Sequence, residues 1–530
     1  MTTRLKITIA IFGVTLAGAS VYFLTRSKGS GLLAYVPNDA SMVIRFNLPK
    51  IAKFYAENKD EISKMTIWKK ATEASNNSLD RAIQGIVKNP EASGIDFSLD
   101  CMLFVHKAQR GENTGMLLRL KNASDFAKYI KNNTPAGSIS GNENGVEYAE
   151  FGTGLFISWN NEVALITEQM AEPKAYFAAI LNKSNPSAKG NLLLSKVEDG
   201  EGYAILVMGI DQFFTGKNAP IESKEFHNPF PPGTAIMCSL NMVPGEISAD
   251  IHMIANNQKD LDKLGFFKES SKLKQYNQSI FPSGNPLFAS ALGIDIEKFL
   301  DFSELINPKY KETRNDPTIK GIIQSLSGDF VFGFATKPEV IASQIKAIED
   351  HNYDSYPAEP AYSFLVHIGT KNQSIFKSKI SEIATPENGI YTLFGGFFQM
   401  YLLEYEDHFL ATFDKTILEK TIANGNKIKK PDSSFNIPSE CLNAPFAMIM
   451  NNNNFLGTGF YSSLQINPKF SKYFNGNYFI FKKEDKIIGK FKFKDTKSHP
   501  LMAYLHMANL SYEEAEMNKT KVKGFYPRLD

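Results

Sequence analysis

Cysteine is scarce: three in 530 residues, at positions 101, 238 and 441. An odd count in three separate segments excludes a complete disulfide framework, and the spacing excludes a zinc cluster of the usual kind. Each cysteine is expected to be a small buried hydrophobe on a strand. Net charge is also missing. Fifty-eight basic residues against 56 acidic ones leave +2, so no global field draws the chain to a polyanion, and nucleic acid is not an expected partner.

Catalytic signatures are absent as well. No Gly-x-Ser-x-Gly elbow occurs. A phosphate loop ending at Gly216-Lys217 would need glycine where Asp211 stands, and Gly152-Thr-Gly154 and Gly457-Thr-Gly459 lack the third glycine of a dinucleotide site. Eight histidines include no His-x-x-x-His pair. His499 and His506 lie seven apart, with no acid near them in sequence. His106 and His367 fall on strands that read as roughly matching. Glu404-Tyr405-Glu406-Asp407-His408 gathers three acids and a histidine, but at a hairpin turn, where solvent would screen them; a weak cation site is the alternative. Asn451 to Asn454 reads as a loop. No catalytic, cofactor-binding or metal-binding residue is assigned, no cofactor is expected, and the chain is not expected to be an enzyme.

One long apolar run is present. Residues 7–24 (ITIAIFGVTLAGASVYFL) are uncharged and flanked by Arg4, Lys6, Arg26 and Lys28. As a helix they span ~27 Å, against ~30 Å for a bilayer core. They predict a single transmembrane helix and a membrane partner. The small residues Ala17-Gly18-Ala19 leave a cleaved signal peptide open, while Tyr22, Phe23 and Leu24 carry the apolar stretch past that point and favour an anchor. With almost all of the mass C-terminal to it, the body is expected on the exported side.

The rest of the chain repeats itself. Lys121-Asn122-Ala-Ser124-Asp-Phe126-Ala-Lys-Tyr-Ile130 returns as Lys371-Asn372-Gln-Ser374-Ile-Phe376-Lys-Ser-Lys-Ile380, five of ten positions identical. Asn122 or Ser124 is a natural N-cap, and Phe126 and Ile130 share a helical face. Strands are predicted before each copy, at 100–106 and 115–120 and at 328–334 and 362–368. Three more follow each, at 145–150, 154–160 and 162–167 and at 389–393, 397–405 and 408–413. Further strands are predicted at 202–209, 234–242 and 246–254, and at 445–450, 477–483 and 486–494, with closing helices at Lys259–Lys274 and Pro500–Asn518. In the first strand, Met42, Ile44 and Phe46 point one way and Val43, Arg45 and Asn47 the other. A helix opens at Leu48-Pro49 and runs on through Ile62, Met65 and Trp68. The expected architecture is α+β: an anchor and linker at 1–31, then two tandem repeats of a mainly antiparallel sheet with packed helices at 32–275 and 276–530.

Forty-one phenylalanines and 21 tyrosines exceed what two ordinary cores require, and cluster in stretches such as Gly395-Gly-Phe397-Phe398-Gln-Met400-Tyr401. Such surfaces serve as apolar clefts or interfaces.

The opening Tyr35-Val-Pro37-Asn-Asp39-Ala40-Ser-Met-Val43-Ile-Arg-Phe-Asn47-Leu48 resembles the start of exported bacterial proteins of a domain-of-unknown-function family, with their Pro-x-Asp-Ala turn, strand and Asn-Leu helix start. That resemblance implies a cell-envelope location on the periplasmic side, a duplicated body of this size and no catalytic residues. Lipoprotein members carry a lipid-bearing cysteine that this chain lacks. The expectation is an envelope scaffold or interaction module with an envelope protein partner; the alternative is a carrier for an apolar ligand such as a lipid.

Overall fold

The computed structural model describes residues 31–72, 89–108, 111–134, 138–151, 155–168, 173–184, 186–213, 227–276, 279, 285–350, 361–395, 398–425, 427–428, 437–451, 473 and 475–525. The run at 7–24 lies outside them, as do 152–154, 216–217, 452–454 and 457–459. Among the described residues no helix is long and apolar enough to cross a membrane.

Among the described residues twenty strands form one antiparallel sheet. The first ten are β1 (Ala40–Phe46), β2 (Cys101–Ala108), β3 (Gly111–Arg119), β4 (Ser140–Glu143), β5 (Val146–Phe151), β6 (Leu155–Trp159), β7 (Val163–Glu168), β8 (Ala204–Gly209), β9 (Thr234–Val243) and β10 (Glu246–Ala255). The second ten are β11 (Asn285–Gly293), β12 (Leu326–Thr336), β13 (Tyr362–Thr370), β14 (Pro386–Glu387), β15 (Ile390–Gly395), β16 (Phe398–Tyr405), β17 (His408–Thr412), β18 (Phe446–Asn451), β19 (Gly476–Lys483) and β20 (Lys486–Phe493). The fold is therefore α+β and mainly antiparallel.

Pairwise ladders put the first ten strands in the order β4-β5-β6-β7-β3-β2-β1-β8-β9-β10. From β20 the order continues β19-β18-β11-β12-β13-β17-β16-β15-β14. The order is a palindrome in which each strand of the first ten has its counterpart ten numbers on. At the centre β10 pairs with β20, with Ala249 opposite Gly489, Glu246 opposite Lys492 and His252 opposite Lys486. Both hairpins have the same spacing: Val243 pairs with Glu246, and Lys483 with Lys486. Ala249 and Gly489 are thus equivalent residues meeting each other, which is what a two-fold axis through that pair produces.

Helices cover both faces of the outer strands. The helices used below are α1 (Leu48–Ile62), α2 (Thr66–Thr72), α3 (Ala123–Asn133), α4 (Pro173–Leu181), α5 (Ile296–Ile306), α6 (Pro317–Ser325), α7 (Gln373–Ile383), α8 (Lys415–Ala423) and α9 (Pro500–Phe525). One core packs Phe177 and Ile180 of α4 on Met102, Phe104, Leu117, Leu165 and Val207. On the other face Phe126 and Ile130 of α3 pack on Trp159, Ile157 and Leu118. In the second ten strands Ile417 and Leu418 of α8 face Leu365, Leu403 and Leu410, and Phe376 and Ile380 of α7 face Leu402 and Phe409.

Asn122 caps α3 through the N–H groups of Ser124 and Asp125, and Asn372 caps α7 through that of Ile375. The repeated ten-residue motif is therefore a capped helix with two apolar anchors in both places.

Some expectations fail. Lys259–Lys274 is not one helix: Gln258–Asp262 and Leu273–Tyr276 are separate short helices flanking an extended stretch. The reason is aromatic burial, since Phe266 packs at 5.1–5.2 Å on Phe299 and Phe302 of α5, which a continuous helix would not deliver. The helix after Pro49 ends at Ile62, and α2 restarts at Thr66. Cys441 sits in a short helix, Ser439–Leu442, and not on a strand; Cys238 on β9 is only half-buried. Burial raises all three thiols and pushes Cys441 up to about 12, so none is a ready nucleophile.

Candidate functional site

The alternation predicted for β1 holds, but the side carrying the charge is the buried one. Val43 and Arg45 are buried, while Met42, Ile44 and Phe46 are half-exposed. Arg45 is accommodated because its guanidinium donates to the Glu198 carbonyl at 2.8 Å and to that of Gly200, and its Nε lies 3.4 Å from Asp100. Burial raises the Asp100 carboxyl above its ordinary value, with Arg45 opposing it.

Following the ladders outward from β1, the half-exposed side is mostly apolar as far as β12, with Lys482 opposite Ile487 as a charged exception. Met42 faces Met208, and Ile44 faces Leu206; these face Ile236 and Cys238, and then Met253 and Ile251. Across the axis Ile251 meets Ile487, and beyond it come Ile480, Met448 and Met450, Phe288, then Phe332 and Phe334. A row of ring contacts follows, tilted from Phe288 to Phe332 at 5.4 Å and from Phe332 to Phe364 at 6.1 Å, and stacked from Phe364 to Phe413 at 5.3 Å. Nine strands at ~4.8 Å spacing make this face about 38 Å wide. At the axis the opposite side of β10 and β20 is polar, with Glu246, Asp250, His252, Lys490 and Lys492. Side chains that sequence reading assigned to strands and to core thus line a half-exposed surface. The part of the aromatic stretch at 396–397 lies outside the described residues.

A cleft of about 800 Å³ opens where α1 meets α9. Its lining includes Glu57 and Glu61 of α1, Tyr473, Lys494, His499 and His506. His499 and His506 are therefore not remote from acids, because α1 carries Glu61 to 2.9 Å from His506 Nε2. Tyr473 stacks on His506 at 5.1 Å. His499 Nδ1 accepts the Leu501 N–H at 3.2 Å, so its neutral ring carries hydrogen on Nε2 and donates it to Tyr203 Oη at 3.1 Å. Burial lowers His499 below the usual imidazole range. Both of its nitrogens are hydrogen-bonded within the protein.

His106 and His367 do not match. His106 is on β2 beside Asp39 at 3.1 Å, whereas His367 is on β13, the counterpart of β3. The partner of His367 is His408, with Nδ1 2.9 Å from Nε2, and both rings are fully buried. The turn at 404–408 is thus split: Glu404 pairs with Lys377 at 2.6 Å and Glu406 and Asp407 face solvent, while His408 points inward. No metal-binding group of three or more His, Cys, Asp or Glu occurs among the described residues.

No family model matches the sequence, and no curated protein does. Among solved structures, crystal form IV of TP0453 is similar at 14% identity and a TM-score of 0.27, covering 42% of this chain and 79% of that one. Crystal form I of TP0453 gives 13% identity and a TM-score of 0.25, covering 44% and 82%. At that level no function passes from one protein to the other.

Proposed function

We propose that this chain is a non-enzymatic interaction module of the bacterial cell envelope, held in the membrane by residues 7–24, with its body on the periplasmic side. The body is a tandem duplication, 32–275 and 276–530, and it engages an envelope protein through the apolar side of the central strands. The observation that carries the reading is the half-exposed face of Met42, Leu206, Ile236, Ile251, Ile480 and Phe332. A surface of that extent is larger than the scattered apolar residues of an ordinary monomer, and its methionines suit a partner surface that has to be fitted by side-chain adjustment.

The second reading is a carrier for an apolar ligand such as a lipid. The same face favours it, and the cleft at α1 and α9 is of ligand size. Its charged lining of Glu57, Glu61 and Lys494 suits an acyl chain poorly. The resemblance of the Pro37–Ala40 opening to exported envelope proteins supports the location.

A photo-reactive amino acid placed at Ile236 or Ile251, in full-length protein in its own membrane, tests both readings, with Lys490 on the polar side as control. A discrete protein adduct from the apolar positions alone is expected. Lipid adducts alone would favour the carrier, and equal labelling from both sides would sink the proposal.

A further inference from the structure

Two core positions differ in kind between corresponding strands. Leu117 of β3 and Val163 of β7 are buried in the first core, and β3 pairs with β7 so that Leu117 faces Leu165. The same places on β13 and β17 hold His367, which faces Leu410, and His408. A tyrosine joins each core: Tyr35 shares the cluster of Leu117 and Val163, and Tyr276 lies on the two histidines. Leu32–Tyr35 and Leu273–Tyr276 are short helices of pattern Leu-x-x-Tyr with buried leucine and tyrosine. Tyr35 donates to Glu162 at 2.6 Å, and Tyr276 lies 3.4 Å from Asp407 Oδ1; the acids directly precede Val163 and His408. Tyr276 packs on both imidazoles, with ring centres 4.6 and 4.5 Å away.

Counting hydrogens shows what the second clamp cannot hold. Asp407 Oδ1 lies 3.0 Å from His408 Nδ1, His408 Nε2 lies 2.9 Å from His367 Nδ1, and His367 Nε2 lies 3.4 Å from the Ser279 carbonyl. Three contacts need three hydrogens, and two neutral rings supply two. The longest contact, to Ser279, is the one left without. One added proton fills it. A second would aim two N–H groups at each other across 2.9 Å, and the contact between the rings breaks.

We propose that His367 and His408 make the seat of residues 271–276 on the second half of the sheet an acid-opened clamp, while its counterpart at Tyr35 is insensitive to pH over the same range. The opened state exposes both rings and takes protons that the closed state excludes. Around the pair stand Lys272 and Tyr276 on the segment, Asp329 on β12, and Tyr405, Glu406 and Asp407 at the β16–β17 turn. The acids sit at the rim and favour a proton on the nearer His408; none reaches the contact between the rings. Burial opposes even the first proton and outweighs the Ser279 carbonyl, which favours it: it lowers both imidazoles, His367 to about 3.

The test is hydrogen exchange of the full-length protein between pH 7.5 and 5, corrected for intrinsic rates. Peptides covering 271–276 should lose protection by roughly 10-fold or more per pH unit below 6.5, one factor of ten for each proton taken up, and those covering 32–35 should not. His367→Leu with His408→Val, the residues of the first half, should abolish the loss. Equal behaviour of the two wild-type segments would overturn the proposal whether or not that variant folds, as would a pH-dependent loss that survives in it.

Discussion

At the scale of single residues, the buried polar groups decide most. Arg45 and Asp100 are both largely inaccessible, and the Arg45 guanidinium also satisfies two backbone carbonyls. Arg45→Met leaves a buried carboxylate without its cation, so unfolding by urea should show a loss of about 3–5 kcal/mol. Adding Asp100→Asn should return part of it, and a double-mutant cycle measures the coupling. His367 gives a pH signature of fixed sign. Its folded pKa lies below its unfolded value, so between about 3 and 6.5 the unfolded chain binds more protons and stability falls as pH falls. The slope for one such group is about 1.4 kcal/mol per pH unit. Denaturation midpoints of wild type and the His367→Leu, His408→Val variant should therefore diverge below pH 6.5 and run parallel above it.

At the scale of elements, two side-chain caps start the two helices of the repeated motif. Asn122 and Asn372 each accept from the first-turn amides, and the helices behind them bury only two apolar anchors apiece. Asn122→Ala and Asn372→Ala should each cost about 1 kcal/mol, and the two should add, because the caps share no partner; thermal unfolding of the single and double variants checks this. Some glycines are required by geometry, Gly328 among them. Gly328, at the start of β12, has φ +85°, and a Cβ there would stand 2.0 Å from the Ile294 carbonyl. Gly328→Ala should lower stability by more than the 1 kcal/mol typical of a strained turn, measurable in the same assay.

At the scale of the whole molecule, each half of the chain completes the other. After its last hairpin the first half sends Phe266 onto Phe299 and Phe302 of α5, and the His227 N–H donates to the Ile306 carbonyl at 2.8 Å. After its own last hairpin the second half sends α9 back onto α1 and α2, where Met502 and Leu505 join Phe54, Tyr55, Ile62 and Trp68. The Ile67 N–H donates to Asn509 at 2.9 Å, and Thr66 to Glu513 at 2.6 Å. Leu505→Ala should therefore destabilise by about 2–5 kcal/mol and shift Trp68 emission to the red, although the two residues are more than 400 positions apart in the chain. Unchanged emission would mean that α9 does not close that core.

Strand positions, the repeated capped helix and the α+β class were legible because they rest on local rules: period-two alternation, caps, and a tight turn between paired runs. Nine of the first ten strands and eight of the second ten could be read in order for the same reason, while β4, β11 and β14 could not. Pairing between the halves could not, since β10 and β20 are 240 residues apart and only their shared register on one axis joins them. Nor could the burial of each side of a strand. Alternation says that Met42 and Arg45 lie on opposite sides, and local pattern offers no reason to bury the arginine; Glu198, Gly200 and Asp100 supply it from elsewhere in the chain. His408 reads as part of a solvated turn until β13 brings His367 beneath it, and Leu-x-x-Tyr is too short to mark Tyr276 as its cover. Sequence alone determined most of the elements, because their forces act within a few residues, although distant aromatic packing broke the helix expected at Lys259–Lys274. Tertiary structure alone decided which apolar side stays half-exposed and which titratable side chains meet, because both depend on what distant strands place opposite them.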